Sequence, residues 1–135
     1  MRLFVCIFAS LLLLLTSAAN AKDSAVTVNA NRTTPINGFW VFAEANCHNP
    51  GRLKHHVDRK PEHGKVDVRF EMRAIPKEVS KRCAGRRGAA MVIYYTPDRG
   101  YRGKDSTTVS FQFPQYEGGY GSPVGRQMKF SISVK

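Results

Sequence analysis

Four histidines lie close together in the sequence and form its most conspicuous set of chemically active side chains. They follow the pattern H-x6-H-H-x6-H, at His48, His55, His56 and His63. Imidazoles can hold Cu(II), Ni(II) or Zn(II), so periplasmic metal binding by this cluster is one alternative function. Neighbouring residues of a strand point to opposite faces, so His55 and His56 cannot both join the others without a turn. We expect no metal site and no cofactor, because cations also surround the cluster: Arg52, Lys54, Arg59 and Lys60.

The sequence contains none of the common catalytic motifs. It has no G-x-S-x-G nucleophile elbow, no H-E-x-x-H zinc motif and no P-loop. Several acids stand among basic residues, as is typical of surface ion pairs: Glu62, Asp67, Glu71 and Glu78. We therefore predict that the chain is not an enzyme.

The first 21 residues have the composition of a secretory leader. A positive start at Arg2 is followed by an apolar run over residues 3–15 and by an A-x-A site that ends at Ala21. This order predicts a signal peptide, residues 1–21, that is cleaved after Ala21. The apolar run is shorter than the roughly 20 residues that a membrane-spanning helix needs, so we expect no transmembrane segment after cleavage. Residues 22–135 are then one domain, either periplasmic or secreted.

Two of the three cysteines remain after cleavage, because Cys6 belongs to the leader. Cys47 and Cys83 are separated by 36 positions, and an even pair in an oxidising compartment predicts one disulfide. A thiolate metal site is disfavoured because neither residue has a second cysteine at C-x-x-C spacing.

Positive charge is concentrated in the middle of the chain. The whole sequence has a formal net charge of +11, and residues 52–87 hold 12 bases against 5 acids. This excess predicts an anion-binding patch on one side of the domain, formed by Arg52, Lys54, His56, Arg69, Arg73, Arg86 and Arg87. The alternative is a solvated basic face that only keeps the protein soluble. No RNA-binding strand motif or zinc-finger spacing is present, so we expect no specific nucleic-acid binding.

The elements that must position these residues are strands and turns. Short apolar or alternating runs recur at intervals of about ten residues and are separated by Gly, Pro, Asn and Asp. The runs cover residues 24–30, 39–43, 65–73, 90–95, 109–113 and 128–134. We predict an all-β, Ig-like antiparallel sandwich of about six to eight strands, in which residues 39–43 form a buried central strand. Residues 76–82 are the one segment that fits a helical turn.

Residues 95–106 read Y-T-P-D-R-G-Y-R-G-K-D-S. They resemble the signature Y-x-P-x-x-G-[FY]-x-G-x-D-[ST] of bacterial Ig-like and cadherin-like extracellular repeats. Residues 61–66 (P-E-H-G-K-V) are similar to the hairpin entry of such domains, and residues 132–134 (I-S-V) to their closing strand. The resemblance implies an Ig-like sandwich that is used for adhesion or binding, and it implies no reaction. It departs from the family in two ways, since this domain stands alone and carries Cys47 and Cys83.

Aromatic residues suggest a second type of contact, because their rings can stack on sugars. Tyr116 and Tyr120 lie in a glycine-rich segment and form a candidate ligand loop. Trp40 lies within the most apolar run, which favours a place in the core.

Taken together, these features favour a secreted or periplasmic binding or structural module. We expect it to contact an anionic component of the cell envelope, such as an anionic glycan, lipopolysaccharide or another envelope protein, through the basic patch. The alternatives are the metal-binding protein described above and an inhibitor of a secreted enzyme. The sequence does not specify the oligomeric state.

Overall fold

In the computed structural model, which describes residues 23–49, 52–113 and 124–135, the chain forms seven strands and no helix. The strands are β1 (Asp23–Val28), β2 (Thr34–Val41), β3 (Lys54–Arg59), β4 (Gly64–Ala74), β5 (Arg87–Pro97), β6 (Gly103–Phe113) and β7 (Val124–Val134). The predicted leader, residues 1–21, and the tyrosine loop with Tyr116 and Tyr120 lie outside the described residues. No helix long and apolar enough to cross a membrane occurs in the described part of the chain.

Two sheets pack face to face and confirm the predicted all-β sandwich. One sheet has four strands in the order β1-β7-β6-β3, and the other has three in the order β2-β5-β4. All neighbouring strands are antiparallel except β1 and β7, which run parallel. The core between the sheets includes Val68, Met91, Ile93, Tyr95, Val109, Phe111, Phe130 and Ile132.

Strand β5 explains the continuous apolar run at residues 90–95. It is the middle strand of the three-stranded sheet, and Met91 and Ile93 on its inner face are fully buried. Ala90 and Val92 alternate with them and face outward, yet they are only 5% and 6% exposed. Both faces of β5 are therefore covered, which is why its sequence does not alternate between apolar and polar residues.

The prediction that residues 39–43 form a central strand is wrong. Their strand, β2, lies at the edge of the three-stranded sheet and pairs with β5 alone among the described strands. The strand before it, β1, pairs instead with β7 in the other sheet. Apolar composition shows that a segment is covered, but it does not show which strands lie beside it.

Strand β3 was not among the strands expected from the sequence. β3 (Lys54–Arg59) carries a single half-buried apolar residue, Val57, so it has no apolar pattern to detect. It pairs with β6 at the edge of the four-stranded sheet. Residues 76–82 form turns and no helix, and the amides of Val79 and Ser80 both donate to the Pro76 carbonyl, at 3.1 and 3.2 Å, which agrees with the short helical turn expected there.

Candidate functional site

The β2–β3 and β4–β5 connections emerge at the same end of the sandwich. Val41, at the end of β2, pairs with Ala89, and Ala74, at the end of β4, pairs with Arg87. Both strands therefore end beside the start of β5. We call residues 42–49 and 75–86, which follow these two strands, the clasped end.

A disulfide joins the two connections, as the sequence predicts. Cys47 bonds to Cys83, and their Cα atoms lie 5.5 Å apart. Cys83 is fully buried, and Cys47 has a φ of 57°, in the left-handed region that few side chains adopt. The bridge closes a loop that spans all of β3 and β4, so it constrains this part of the unfolded chain as well as the clasped end.

Ser80 provides a second link between the connections. Its side chain is 5% exposed, and its hydroxyl donates to Glu44 Oε1 at 2.6 Å. Ser80 Oγ also accepts a hydrogen bond of 3.0 Å from the Cys83 amide. One hydroxyl thus ties the loop before β3 to the loop before β5, directly beside the disulfide.

The base of the β4–β5 connection is closed by backbone hydrogen bonds. The Ile75 amide donates to the Arg86 carbonyl at 2.9 Å, and the Gly85 amide donates to the Ile75 carbonyl at 2.9 Å. Gly85 has a φ of 78° and open space where a Cβ would stand, so glycine is required there by conformation and not by packing. These bonds and the disulfide hold the loop in one shape.

The outer surface of this loop is basic and also exposes one large apolar side chain. Val79 is 45% exposed. Four exposed cations belong to the same loop: Lys77, Lys81, Arg82 and Arg86. Within the described residues, none of these cations lies within 4.0 Å of a carboxylate. Their charge is therefore available to a ligand.

The predicted anion patch is divided among several places. Arg86 belongs to the clasped end, and Arg87 follows it at the start of β5. The guanidinium of Arg52 lies 5.9 Å from the ring centre of Phe70 on β4. Arg87 donates through Nη2 to the Met72 carbonyl at 3.1 Å.

Arg69 and Arg73 lie on the outer face of the three-stranded sheet, and each has a carboxylate partner. Arg69 Nε is 2.8 Å from Asp67 Oδ2, and this hydrogen bond raises the pKa of the Arg69 guanidinium. Arg73 forms an ion pair with Glu71. A free anion would have to compete with these carboxylates, so Arg69 and Arg73 are weaker candidates for anion contacts than the cations of the clasped end.

Lys54 and His56 lie on the outer face of the four-stranded sheet, opposite Gln112 and Ser110. The Asp58 carboxylate interacts electrostatically with His56 and accepts hydrogen bonds from Ser110 Oγ and from Gln127 Nε2. These two hydrogen bonds hold the pKa of Asp58 below its ordinary value, and the bond from Ser110 has the larger effect.

The four histidines are placed apart. The His48 carbonyl accepts a hydrogen bond from the Ala43 amide in the clasped end, whereas the His63 ring stacks on Tyr101 at the opposite end, 4.1 Å between ring centres. On β3, His55 pairs with Phe111 and His56 with Ser110, so their side chains point to opposite faces. In the described ranges, no three His, Cys, Asp or Glu side chains are arranged to hold a metal ion.

Of the residues that characterise the clasped end, Arg86 and the two cysteines were candidates from the sequence, and the others were not. Val79, Ser80 and the cations at 77, 81 and 82 precede or flank Cys83 in the run P-K-E-V-S-K-R-C. A signal was available, because four of these eight residues are charged and charged residues are rarely buried, so the run should lie at the surface. Sequence alone could not reveal that Ser80 is buried, because its partner Glu44 lies 36 positions away.

Comparisons with known proteins leave the chain without a family. No protein-family model matches it, and no curated protein matches its sequence. The solution structure of amebosin covers 83% of this chain and 89% of its own, at 13% identity and a TM-score of 0.42. The crystal structure of the cysteine protease inhibitor EhICP2 from Entamoeba histolytica covers 82% of this chain and 86% of its own, at 10% identity and a TM-score of 0.42. The similarity to both is too low to assign a function to this chain.

Proposed function

We propose that this chain is a secreted or periplasmic binding module, without catalytic activity, that contacts an acidic macromolecule through the clasped end. The observation that carries the proposal is the β4–β5 loop. It is fixed by Cys47–Cys83 and by Ser80, and it exposes four cations that have no carboxylate partner among the described residues.

A fixed loop favours binding because a ligand does not have to order it. Each side chain that a ligand immobilises costs about 0.5–1.5 kcal/mol, and loop ordering adds to that cost. The disulfide also supports the proposed location, since such bonds persist in oxidising compartments.

The charge of the clasped end favours a polyanion of the cell envelope, such as lipopolysaccharide or an anionic glycan. Lys77, Lys81, Arg82 and Arg86 would meet its phosphate, sulfate or carboxylate groups, opposed only by Glu78 within the loop. Contacts of this type are screened by salt, because the Debye length falls from about 10 Å at 0.1 M to about 3 Å at 1 M ionic strength.

The test compares two variants with the same change in net charge. In one, the four clasped-end cations are replaced: Lys77→Gln, Lys81→Gln, Arg82→Gln and Arg86→Gln. In the matched control, four exposed cations at the opposite end are replaced: Arg32→Gln, Lys60→Gln, Arg99→Gln and Arg102→Gln. Both are measured for retention on heparin and on vesicles that contain lipopolysaccharide, in rising NaCl.

We expect the clasped-end variant to elute at a clearly lower salt concentration than both the wild type and the control. Equal elution of the two variants would show that net charge alone causes retention, and the proposed site would then be wrong.

A second candidate, an inhibitor of a secreted enzyme, is favoured by the exposed Val79. A polyanion gains little from contact with an apolar side chain, whereas a protein partner can bind such a side chain in a pocket at the centre of its interface. The fixed loop would present Val79 to an acidic cleft, and complementary charge would speed the encounter.

Val79→Gln separates the two candidates. It leaves the charge unchanged, so retention on heparin should not change if a polyanion is the ligand. If the chain instead inhibits an acidic secreted protease or glycosidase, the inhibition constant should rise at least about tenfold, the effect of losing roughly 1.4 kcal/mol.

Kinship with the bacterial Ig-like repeats is also proposed, on the basis of the 95–106 motif. The roles of its residues support the proposal: Gly100 and Gly103 have φ values of 76° and 142°, and the Tyr101 hydroxyl donates to the Lys104 carbonyl at 2.6 Å. Solved structures of closer relatives, superposed on the β5–β6 corner, would test it.

A further inference from the structure

The single tryptophan of the chain lies on the outer face of the three-stranded sheet, not in the core where its sequence context predicts it. Its neighbour Phe39 points inward and packs its ring 4.9 Å from that of Phe111. Trp40 therefore points outward, level with Ala90 on β5. Its Cε3 atom lies 3.5 Å from the position that a Cβ would take at Gly88.

A groove of about 350 Å³ lies beside the Trp40 ring. Its lining residues include Pro35, Gly38, Trp40, Arg73, Ala90 and Val92. Gly38 keeps the groove open: a Cβ there would meet Val92 at 3.6 Å, an ordinary contact, so the missing side chain leaves usable space. The groove thus combines one aromatic ring with a small apolar floor.

The polar groups near the groove are paired with one another. Arg73 and Glu71 form an ion pair, and Glu71 Oε1 also accepts a hydrogen bond of 2.8 Å from the Tyr94 hydroxyl. That bond, with burial, raises the pKa of Tyr94 above its ordinary value. The Arg69 guanidinium stacks 4.2 Å from the ring centre of Tyr94 and is held by Asp67. Arg73, which lines the groove, and its partner Glu71 thus place donors and acceptors side by side, and their charges cancel.

We infer that this groove binds a pyranose ring of a neutral glycan. The apolar C–H face of a pyranose matches the flat face of an indole, and the indole contributes a large apolar surface to such a contact. The hydroxyls at the edge of the sugar need donors and acceptors side by side, which the Arg73–Glu71 pair supplies. A concave apolar site with a few convergent polar groups is the usual form of a small-ligand site.

Charge separates this site from the clasped end. The clasped end has cations without carboxylate partners in the described residues, whereas Arg73, the cation that lines the groove, is paired with Glu71. An anionic sugar would have to displace a carboxylate, which disfavours it here. The inference is therefore independent of the proposed function and survives its failure.

Two other occupants are less well matched. Proline-rich peptides bind grooves lined by several aromatic rings, whereas the second ring of this face, that of Tyr94, is covered by the Arg69 guanidinium at 4.2 Å and donates through its hydroxyl to Glu71. A second copy of the chain would bring a rim of the same composition, so each Arg73 would meet a cation as well as a carboxylate.

Trp40 itself reports on the site, because its indole is the single one in the chain. We would titrate the protein with neutral hexasaccharides built from glucose, mannose or N-acetylglucosamine and record tryptophan emission. Gly38→Val should fill the groove without disturbing the fold, and Gly125→Val on β7, where a Cβ meets nothing within 4 Å, is the matched control. Circular dichroism and thermal melting verify that both variants are folded.

A shift in emission is expected for at least one neutral hexasaccharide, with a dissociation constant that Gly38→Val raises at least about tenfold. Gly125→Val and the four-site clasped-end variant should bind as the wild type does. The inference is wrong if no hexasaccharide changes the emission at about 10 mM, a concentration that would detect even a millimolar dissociation constant. It is also wrong if Gly38→Val binds the sugar as tightly as the wild type does. Tighter binding of a decaproline peptide or of an oligogalacturonate than of every neutral sugar would likewise contradict it. So would a dimer, seen by sedimentation, that Gly38→Val dissociates.

Discussion

The Tyr95 hydroxyl donates a hydrogen bond of 2.8 Å to Asp105 Oδ2 at the end of the sandwich opposite the clasped end. The Tyr95 side chain is fully buried, so this bond fixes the position of the carboxylate at the edge of the core. Asp105 also accepts hydrogen bonds of 3.0 Å from the amides of Glu62 and His63. One side chain thereby joins β5, β6 and the β3–β4 connection.

The ionised form of Asp105 stabilises the fold. Burial alone would raise its pKa, but the hydrogen bonds from Tyr95 and from the amides of Glu62, Ser106 and His63 outweigh burial and lower it. A carboxyl with a lowered pKa in the folded state stabilises the protein above its unfolded pKa of about 3.9. This stabilisation is lost as the pH falls through the folded-state pKa.

Asp105→Asn should therefore destabilise the protein at neutral pH and much less in acid. The amide cannot accept all of these hydrogen bonds, and a buried donor without a partner costs about 1–3 kcal/mol. Urea unfolding at pH 7 and at pH 3 measures the difference. Asp67→Asn, at an exposed ion pair, is the control and should change the free energy of unfolding by less than about 1 kcal/mol. An equal loss at both pH values would contradict a role for the carboxylate charge.

Two glycines should respond in opposite ways to alanine. A Cβ at Gly64 would lie 2.5 Å from the Thr96 carbonyl oxygen and 2.8 Å from the Tyr95 ring, and neither group can move freely. Gly64→Ala should cost about 1–3 kcal/mol of stability. Gly38→Ala has ordinary contacts and should be neutral or stabilising by up to about 1 kcal/mol, because alanine restricts the unfolded chain. Thermal melting of both variants gives the comparison, and similar melting temperatures would contradict the clash at Gly64.

The sequence predicts strands well where one face is buried. In β4, Val66 and Val68 alternate with charged residues that face the solvent, so both the strand and its orientation can be read directly. The disulfide follows from the two cysteines outside the predicted leader. In β3, by contrast, Val57 is the single apolar residue, and the strand exists because its backbone pairs with β6.

The candidate site is less predictable, because charge in a sequence does not show which charges are neutralised. Arg69 and Asp67 are two residues apart on one strand and so share a face, which was a readable sign of their pairing. The outward orientation of Trp40 follows from the alternation of side chains along β2, in which Phe39 faces the core, and the edge position of β2 follows from the pairing of β1 with β7 in the other sheet. Such long-range pairing leaves no local pattern.

Thr107 shows how a buried hydroxyl can secure strand register. It is fully buried on β6, and its Oγ1 donates to the Arg59 carbonyl at 2.8 Å. The register of the β3–β6 pair shifts between Val57 and Arg59, so this hydrogen bond lies at the irregular part of the pairing. Thr107→Val keeps the shape but removes the donor, so we expect a loss of about 1–2 kcal/mol in urea unfolding. Thr108→Val, on the outer face, should be close to neutral. If the two variants lost the same stability, the hydroxyl of Thr107 would have no special role.

Removal of the disulfide should weaken the whole domain and loosen the clasped end most. For the 36-residue separation of Cys47 and Cys83, loop-closure entropy gives about 4 kcal/mol, so the Cys47→Ala, Cys83→Ala double variant should unfold at a much lower urea concentration. Wild-type protein in reductant should behave like this variant, and the variant should not respond to reductant.

Hydrogen exchange locates the effect of that loss. The amides of Cys83, Gly85 and Ile75 are donors in the clasped end and should lose protection first, because the disulfide no longer limits local opening there. Amides in the β6–β7 ladder, such as that of Thr107, should then exchange only through global unfolding. If the clasped-end amides of the double variant kept the protection of the ladder, Ser80 and the backbone bonds alone would fix the loop, and the disulfide would act only on the unfolded chain.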